Sequence, residues 1–409
     1  MAVVPEEGIF VLSGTKETLL RGRLYELVAP HVDGRGADEI CDLLAQQASP
    51  AEVYYTLGQL EKRGYLAEAD GALAAGSAAW WSTQQIDPRQ AARRLSEARV
   101  SVSSLGVDVD PLYELLAATG VQVGDDGELA VVAVDHYLRP QLESYNKMAL
   151  ANGRPWLLVK PIGQQVWLGP VLRPGTTGCW KCLAERLRAN RAVESYLFER
   201  EALAGSAIAE RSHLPASLQA AWGLTATAIA SWVARGDLSD YEGKIRTFDL
   251  VTWQTQIHLL IRLPYCAACG QANDGAGRQF RPVQLTSRKK TFVRDGGHRV
   301  VDPQTTIERF SHHVSPITGA VSMLTRTGPS DDGTMHVYLS GHNLARRHHS
   351  LGQLRGDLRN MSAGKGTTDA QAKASGLCEG LERYSGVFRG DEPRRTARLS
   401  ELGDEAIDP

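Results

Sequence analysis

The chain has 409 residues, a formal net charge of −2, 43% apolar and 22% charged side chains, enough for sizeable cores in more than one domain and no composition-driven attraction to nucleic acid. Met1-Ala2-Val3-Val4-Pro5-Glu6-Glu7 lacks the basic and apolar regions of a secretory signal, and no apolar run reaches the length of a membrane span, so a cytoplasmic protein is expected. Six cysteines are too few for a disulfide scaffold, and four of them fall into two Cys-x-x-Cys pairs, which points to metal.

Residues 1–69 read as a first unit. Ile9-Phe10-Val11-Leu12 and Glu17-Thr18-Leu19-Leu20, either side of Ser13-Gly14-Thr15, predict a hairpin. Helices are expected over 23–31, 37–46 and 50–63, with Gly64 ending the third and Tyr65-Leu66-Ala67 forming a short wing strand. This is a winged-helix order of elements. The third helix carries no basic stripe for phosphate contacts, so duplex DNA is not the expected partner. The unit resembles the peptide-recognition domain at the N-terminus of many ribosomal-peptide modifying enzymes. That resemblance implies a leader peptide added as a strand between the sheet edge and the third helix. Val53, Leu57 and Leu60 are candidates to line the cleft, and they equally fit that helix's own core face.

Residues 70–93, rich in Ala, Gly and Ser before Trp80-Trp81, read as a linker with a small docking segment. A second domain is expected over 94–275. Strands at 100–103, 128–134 and 156–159 and a helix at 111–118 suggest a doubly wound α/β domain with a parallel sheet. Where a dinucleotide fold would place its glycine fingerprint, Ser103-Ser104-Leu105-Gly106-Val107-Asp108 has one glycine, so the sheet is read as having lost a nucleotide site. Asp135, at the end of a strand, reads as a turn residue.

Cys179-Trp180-Lys181-Cys182 and Cys266-Ala267-Ala268-Cys269 give four thiolates for a tetrahedral structural Zn²⁺. With Thr177-Gly178 before one pair and Pro264-Tyr265 before the other, they resemble the paired zinc knuckles of the E1-like superfamily. Beside the degenerate glycine loop, they are more similar to the inactive E1-like domain fused to peptide cyclodehydratases. Residues 215–235 supply a long helix between the knuckles, and 270–277 read as a linker.

The segment 282–409 carries the most specific pattern. Ala370, Ala374, Leu377, Cys378 and Leu381 step by four and three, so a helix is expected after Asp369, which is read as its N-cap. Ser375, Glu379 and Glu382 share the neighbouring face; two carboxylates three residues apart can hold Mg²⁺, while Ser375 and Arg383 can donate to phosphate oxygens. Ser-x-x-x-Glu-x-x-Glu-Arg behind the turn expected at Gly364-Lys365-Gly366 resembles the ATP-binding signature of the YcaO superfamily. By that resemblance Glu379 and Glu382 are Mg²⁺ ligands and Ser375 and Arg383 face ATP. Arg299, after Gly296-Gly297-His298, and Thr306 resemble the family's opening segment and would approach the phosphates; an ordinary capped helix start fits the same residues equally well. His312-His313 and His348-His349 read as surface positions.

The expected fold class is therefore multidomain α/β: a winged-helix-like domain, an E1-like domain with zinc knuckles and the start of a YcaO domain. The family's later nucleotide-binding segment and proline-rich C-terminus have no counterpart before Pro409, so an incomplete form of a longer enzyme is expected. The resemblance implies ATP-driven cyclodehydration of Cys, Ser or Thr in a ribosomal precursor peptide, with Zn²⁺, ATP and Mg²⁺ as cofactors. The expected partner is the precursor's leader, not nucleic acid or membrane, and the oligomeric state is open, a homodimer included. Two other readings stand beside it: a non-catalytic leader-binding scaffold for a separate YcaO enzyme, and an E1-like adenylating enzyme, disfavoured by the single Gly106.

Overall fold

The computed structural model describes residues 1–4, 7–13, 16–66, 72–199, 212–270, 284–291, 293, 298–328, 335–342, 350–358, 361–387 and 395–407. They divide into unit 1 (1–101, 110–128 and 222–238) and unit 2 (102–109, 129–221 and 239–409). Among the described residues no helix is long and apolar enough to cross a membrane.

Unit 1 opens with an antiparallel sheet of β1 (Ala2–Val4), β2 (Gly8–Ser13) and β3 (Lys16–Leu20), β2 in the middle. The hairpin was expected and β1 was not. Three helices follow, α1 (Arg23–Val28), α2 (Ala37–Leu43) and α3 (Pro50–Lys62). Ser49 and Glu52 form a reciprocal capping box that fixes the start of α3, and Gly64, at φ +73, ends it. The expected wing strand at Tyr65 does not form. Its amide instead donates to Leu60 O, and its hydroxyl to Thr18 Oγ1 at 3.0 Å; Ala67 lies outside the described residues. Ile9, Val11, Leu20, Ala29 and Leu60 form one core, and Val28, Ile40, Leu44, Ala48 and Val53 another.

The expected linker contains two helices, α4 (Ala75–Thr83) and α5 (Pro88–Glu97). Its Ala/Gly-rich start hid the anchors: Asp87 caps α5 by accepting from Arg89 N at 2.9 Å, and Trp81, Ala91 and Leu95 are buried. β4 (Arg99–Leu105) begins in unit 1, where Arg99 and Val100 pair in parallel with β5 (Gln122–Val123), after α6 (Asp110–Ala118).

Unit 2 takes the rest of β4, then β6 (Leu129–Val134), α7 (Gln141–Asn152), β7 (Trp156–Lys160), β8 (Gln165–Leu172), α8 (Trp180–Asn190), α9 (Ala192–Glu199) and the first residues of α10 (Pro215–Arg235). β9 (Lys244–Asp249) and β10 (Thr255–Leu259) complete its first sheet, ordered β10-β9-β8-β7-β6-β4. β6 and β7 are buried throughout and pair in parallel, as continuous apolar runs should. The sheet is not parallel beyond them: β7–β8, β8–β9 and β9–β10 are antiparallel. The chain between Lys160 and Gln165 is too short for a crossover, which forces the reversal.

After α11 (Pro303–Phe310), a second, antiparallel sheet is built from β11 (Val321–Thr327), β12 (His336–His342) and β13 (Met361–Gly366), with α12 (Leu351–Asp357) before β13 and α13 (Asp369–Ser385) after it.

Candidate functional site

The Gly364-Lys365-Gly366 segment is strand and not turn, and its glycines have another purpose. A Cβ at Gly364 would stand 2.0 Å from Gly376 N and 2.2 Å from Ala372 O, and one at Gly380 would stand 2.4 Å from Ser340 Oγ. Helix α13 thus lies on β12 and β13 at backbone contact, which only glycine permits. Its buried face is Gln371, Ala372, Ala374, Gly376, Leu377 and Gly380. Cys378, expected on that face, is exposed. Thr368, and not Asp369, is the N-cap, accepting from Gln371 N at 3.3 Å; Asp369 starts the helix and accepts from Tyr338 OH at 3.0 Å.

On the outer side, α13 sets Ser375, Glu379, Glu382 and Arg383 along two turns. Arg383 Nη2 donates to Glu379 Oε1 at 3.2 Å. Partial desolvation by its neighbours raises the Cys378 thiol pKa, and the charge of Arg299, which reaches it, opposes that shift. Thr306 lies on α11, where its hydroxyl donates to Asp302 O at 3.1 Å, the behaviour of a capped helix start. Gly296-Gly297 and His348-His349 lie outside the described residues. His312 and His313 are not on a strand; they form a short 3₁₀ turn, their rings 4.1 Å apart.

His342, at the end of β12, was missed from the sequence. It is buried, and burial pulls its pKa down; the charges of Arg383 and Glu379 both reach it. A lone histidine in Ser-Gly-His gives no local signal, because only the pairing of β12 with its neighbours brings it beside α13.

The four cysteines converge as expected. Cys179 and Cys182 flank the start of α8, Cys266 and Cys269 follow β10, and all four sulfurs lie within 4.8 Å of one another. Cys179 to Cys266 is 3.7 Å and Cys182 to Cys269 is 3.5 Å. A tetrahedral ion with bonds of about 2.3 Å to sulfur sets its ligands about 3.8 Å apart, so the residues fit a metal ion. The thiols also share protons unevenly. Hydrogen bonding to Cys179 pulls Cys266 far down and Cys269 to about 7, while Cys182 is driven up. Leu263 N donates to Cys182 Sγ at 3.5 Å, and Arg262 Nε donates to Cys269 O at 2.9 Å.

The turn after β4 has no room for a side chain at Gly106. Gly106 has φ +86, and a Cβ there would lie 2.6 Å from Asp135 Oδ2 and 2.7 Å from Arg139 Nη2. Asp135 is buried and held by Arg139, Nε to Oδ1 2.6 Å, and the carboxylate raises the already high guanidinium pKa. Asp135 is therefore an ion-pair partner and more than a turn residue.

In unit 1 Val53 and Leu60 have no exposure and belong to the two cores, whereas Leu57 is half-buried.

Residues 363–409 match a family described as YcaO cyclodehydratase, ATP- and Mg²⁺-binding. A heterocyclase solved in complex with substrate and cofactor matches with a TM-score of 0.90 and 38% identity, over 99% of this chain and 55% of the other. The heterocyclase TruD matches with a TM-score of 0.76 and 34% identity, over 100% and 53%. The chain thus spans just over half the length of these two proteins. MccB of E. coli, bound to MccA, matches at 13% identity with a TM-score of 0.45 over 65% of this chain and 96% of its own. No relative was found among curated proteins.

Proposed function

This chain resembles YcaO-type heterocyclases along its whole length, and on that premise we propose that it takes part in leader-dependent, ATP-driven cyclodehydration of a ribosomal precursor peptide. A Cys, Ser or Thr side chain of the peptide attacks the preceding amide carbonyl. The attack closes the ring and releases the thiol or hydroxyl proton; the resulting oxyanion takes the γ-phosphoryl group from ATP, leaving ADP, and phosphate then departs with the former amide oxygen as the C=N bond forms and the amide N–H proton is lost. The peptide supplies its own nucleophile, so this chain's residues bind, position and neutralise charge.

The observation that carries the reading is one outward helix face, inside the family-matched region, that offers Ser375, Glu379, Glu382 and Arg383 with Arg299 approaching the same helix. In this reading Glu379 and Glu382 hold Mg²⁺, which neutralises the phosphates. Arg383 exchanges its ion pair with Glu379 for phosphate, with Ser375, Arg299 and Thr306 as further donors. The four cysteines hold Zn²⁺ with every position filled by protein, a structural and not a catalytic arrangement.

The leader is assigned to the outer edge of β3, unpaired among the described residues. Of the three cleft candidates only Leu57 keeps surface for it; Val53 and Leu60 support α3 from within. The domain limits proposed from sequence, 1–69, 94–275 and 282–409, and a cytoplasmic location that keeps the thiols reduced, belong to the same reading.

The test is a Glu379→Gln, Glu382→Gln double variant of the full-length protein, read by peptide-dependent phosphate release and by mass spectrometry for loss of one water per ring. Both should vanish while leader affinity stays at the wild-type value. Full activity of the double variant would remove the site assignment, and leader binding without nucleotide binding in the wild type would favour the scaffold reading.

A further inference from the structure

We propose that the four-cysteine metal site anchors the back of α13 through Tyr384 and so positions the face that carries Glu379, Glu382 and Arg383. The inference rests on the nucleotide reading of that face for its functional meaning, but not for its geometry.

At 3.6 residues per turn, Tyr384 projects from the side of α13 opposite Ser375. Two groups meet it there. Tyr265 OH lies 2.7 Å from Tyr384 OH, and Tyr265 is bonded directly to Cys266. Arg186 holds its guanidinium 4.5 Å from the centre of the Tyr384 ring, and Arg186 sits one turn after Cys182 on α8. Each Cys-x-x-Cys pair therefore sends one neighbour to the same side chain.

Arg186 is an unusual residue to find there. It is 5% exposed, and its Nε and Nη1 are buried without a hydrogen-bond partner among the described residues. Burying a cation so poorly hydrogen-bonded is costly, and the face of Tyr384 is the compensation the structure provides. A leucine would fill the same space without that cost, so packing alone does not account for the guanidinium. Asn190, one turn further along α8, donates to Ile317 O and Gly319 O, each at 3.1 Å, in the loop that leads into β11. Helix α8 thus grips the second sheet at its entry loop and at the end of the helix packed on it. Tyr384 acts through Arg383 and the two glutamates, which makes it a positioning residue.

The experiment uses the metal-loaded full-length protein and four readouts: backbone hydrogen exchange over residues 375–385, Mg·ATP affinity by calorimetry, metal content and leader affinity. Tyr265→Phe removes one hydroxyl and should weaken Mg·ATP binding about five-fold, the value of one neutral hydrogen bond. Tyr384→Leu should weaken it by about 30-fold, the typical value of a desolvated cation–π contact. Arg186→Met should fall between them. In all three, exchange over 375–385 should quicken while metal content and leader affinity hold. Chelating the metal should quicken the same segment in the wild type and add little in Tyr384→Leu. Unchanged exchange in Tyr265→Phe and Arg186→Met would overturn the proposal, as would loss of metal from Tyr265→Phe, which would make that residue a support of the cluster. If Tyr384→Leu does not fold, those two milder variants decide. Quickened exchange together with a Glu379→Gln, Glu382→Gln protein that still binds Mg·ATP would uphold the anchor and remove the nucleotide reading.

Discussion

Replacing Gly364 by alanine adds one methyl group where the structure has no room for it. The new Cβ would lie 2.0 Å from Gly376 N and 2.2 Å from Ala372 O, against 3.4–4 Å for ordinary contact. Both obstacles are backbone atoms of α13, so no rotamer change relieves the clash and the helix must lift by more than 1 Å. Lifting opens the packing of Ala372, Ala374 and Leu377, which are at most 1% exposed. Overpacking costs about 1–3 kcal/mol, and losing much of the burial of Leu377 adds up to about 2 kcal/mol, so a destabilisation of about 3–5 kcal/mol is expected. Denaturant-dependent hydrogen exchange over residues 361–385 measures it. Gly58→Ala is the control: nothing lies within 4 Å of a Cβ there, and alanine inside α3 should stabilise by up to about 1 kcal/mol. If Gly364→Ala unfolds within about 0.5 kcal/mol of the wild type, the close approach of α13 to its sheet is wrong.

Protein purified without chelator should carry one Zn²⁺ per chain, and elemental analysis finding a small fraction of that would refute the four-sulfur assignment. His313 is held down to about 4 by burial first and then by the charges of His312 and Arg186. Its folded state binds fewer protons than its unfolded state, so this contribution to stability is whole above about pH 6.5 and is lost as pH falls toward about 4. His313→Gln should flatten the slope of the unfolding midpoint across that window, and an unchanged slope would count against the burial. Fluorescence polarisation should show a labelled leader binding through residues 1–69 and a labelled DNA duplex not binding; tight, salt-sensitive binding of the duplex would overturn the assignment of this winged-helix-like unit to a peptide partner.

Legibility in the sequence tracked how local each signal was. The hairpin at Ile9–Leu20, the helix begun by Pro50 and the outer face of α13 depend on residues within a few positions, and each was readable. The cysteine pairs span a longer distance but leave so few chemical alternatives that their meeting was readable too. The strand directions after β7 were not, because they turn on the shortness of one connection and not on the composition of the strands. Gly364 was read as a turn because glycine marks both turns and close approach, and only the partner, here Gly376, separates the two. His342, Arg186 and Tyr384 were invisible as site residues for the same reason: each gains its role from a neighbour far along the chain. Val53 and Leu60 were ambiguous between cleft and core, and burial places both in the core.

The two knuckles are 87 residues apart in the chain. Where an ion that joins them stays bound in the unfolded chain, it restricts that chain as a disulfide over the same span would, by about 4–5 kcal/mol in the chain-entropy view. During synthesis the tie cannot close until Cys269 has left the ribosome. α10, β9 and β10 emerge first, over an interval on the order of ten seconds, while Cys179 and Cys182 wait as open thiols. Metal starvation or a burst of oxidant in that interval strikes a half-built cluster, whereas the same insult after closure meets ligands already committed. If the four thiolates take up their ion only once both knuckles are present, slowing translation through residues 183–269 should lower the yield of metal-loaded protein without any change in its sequence.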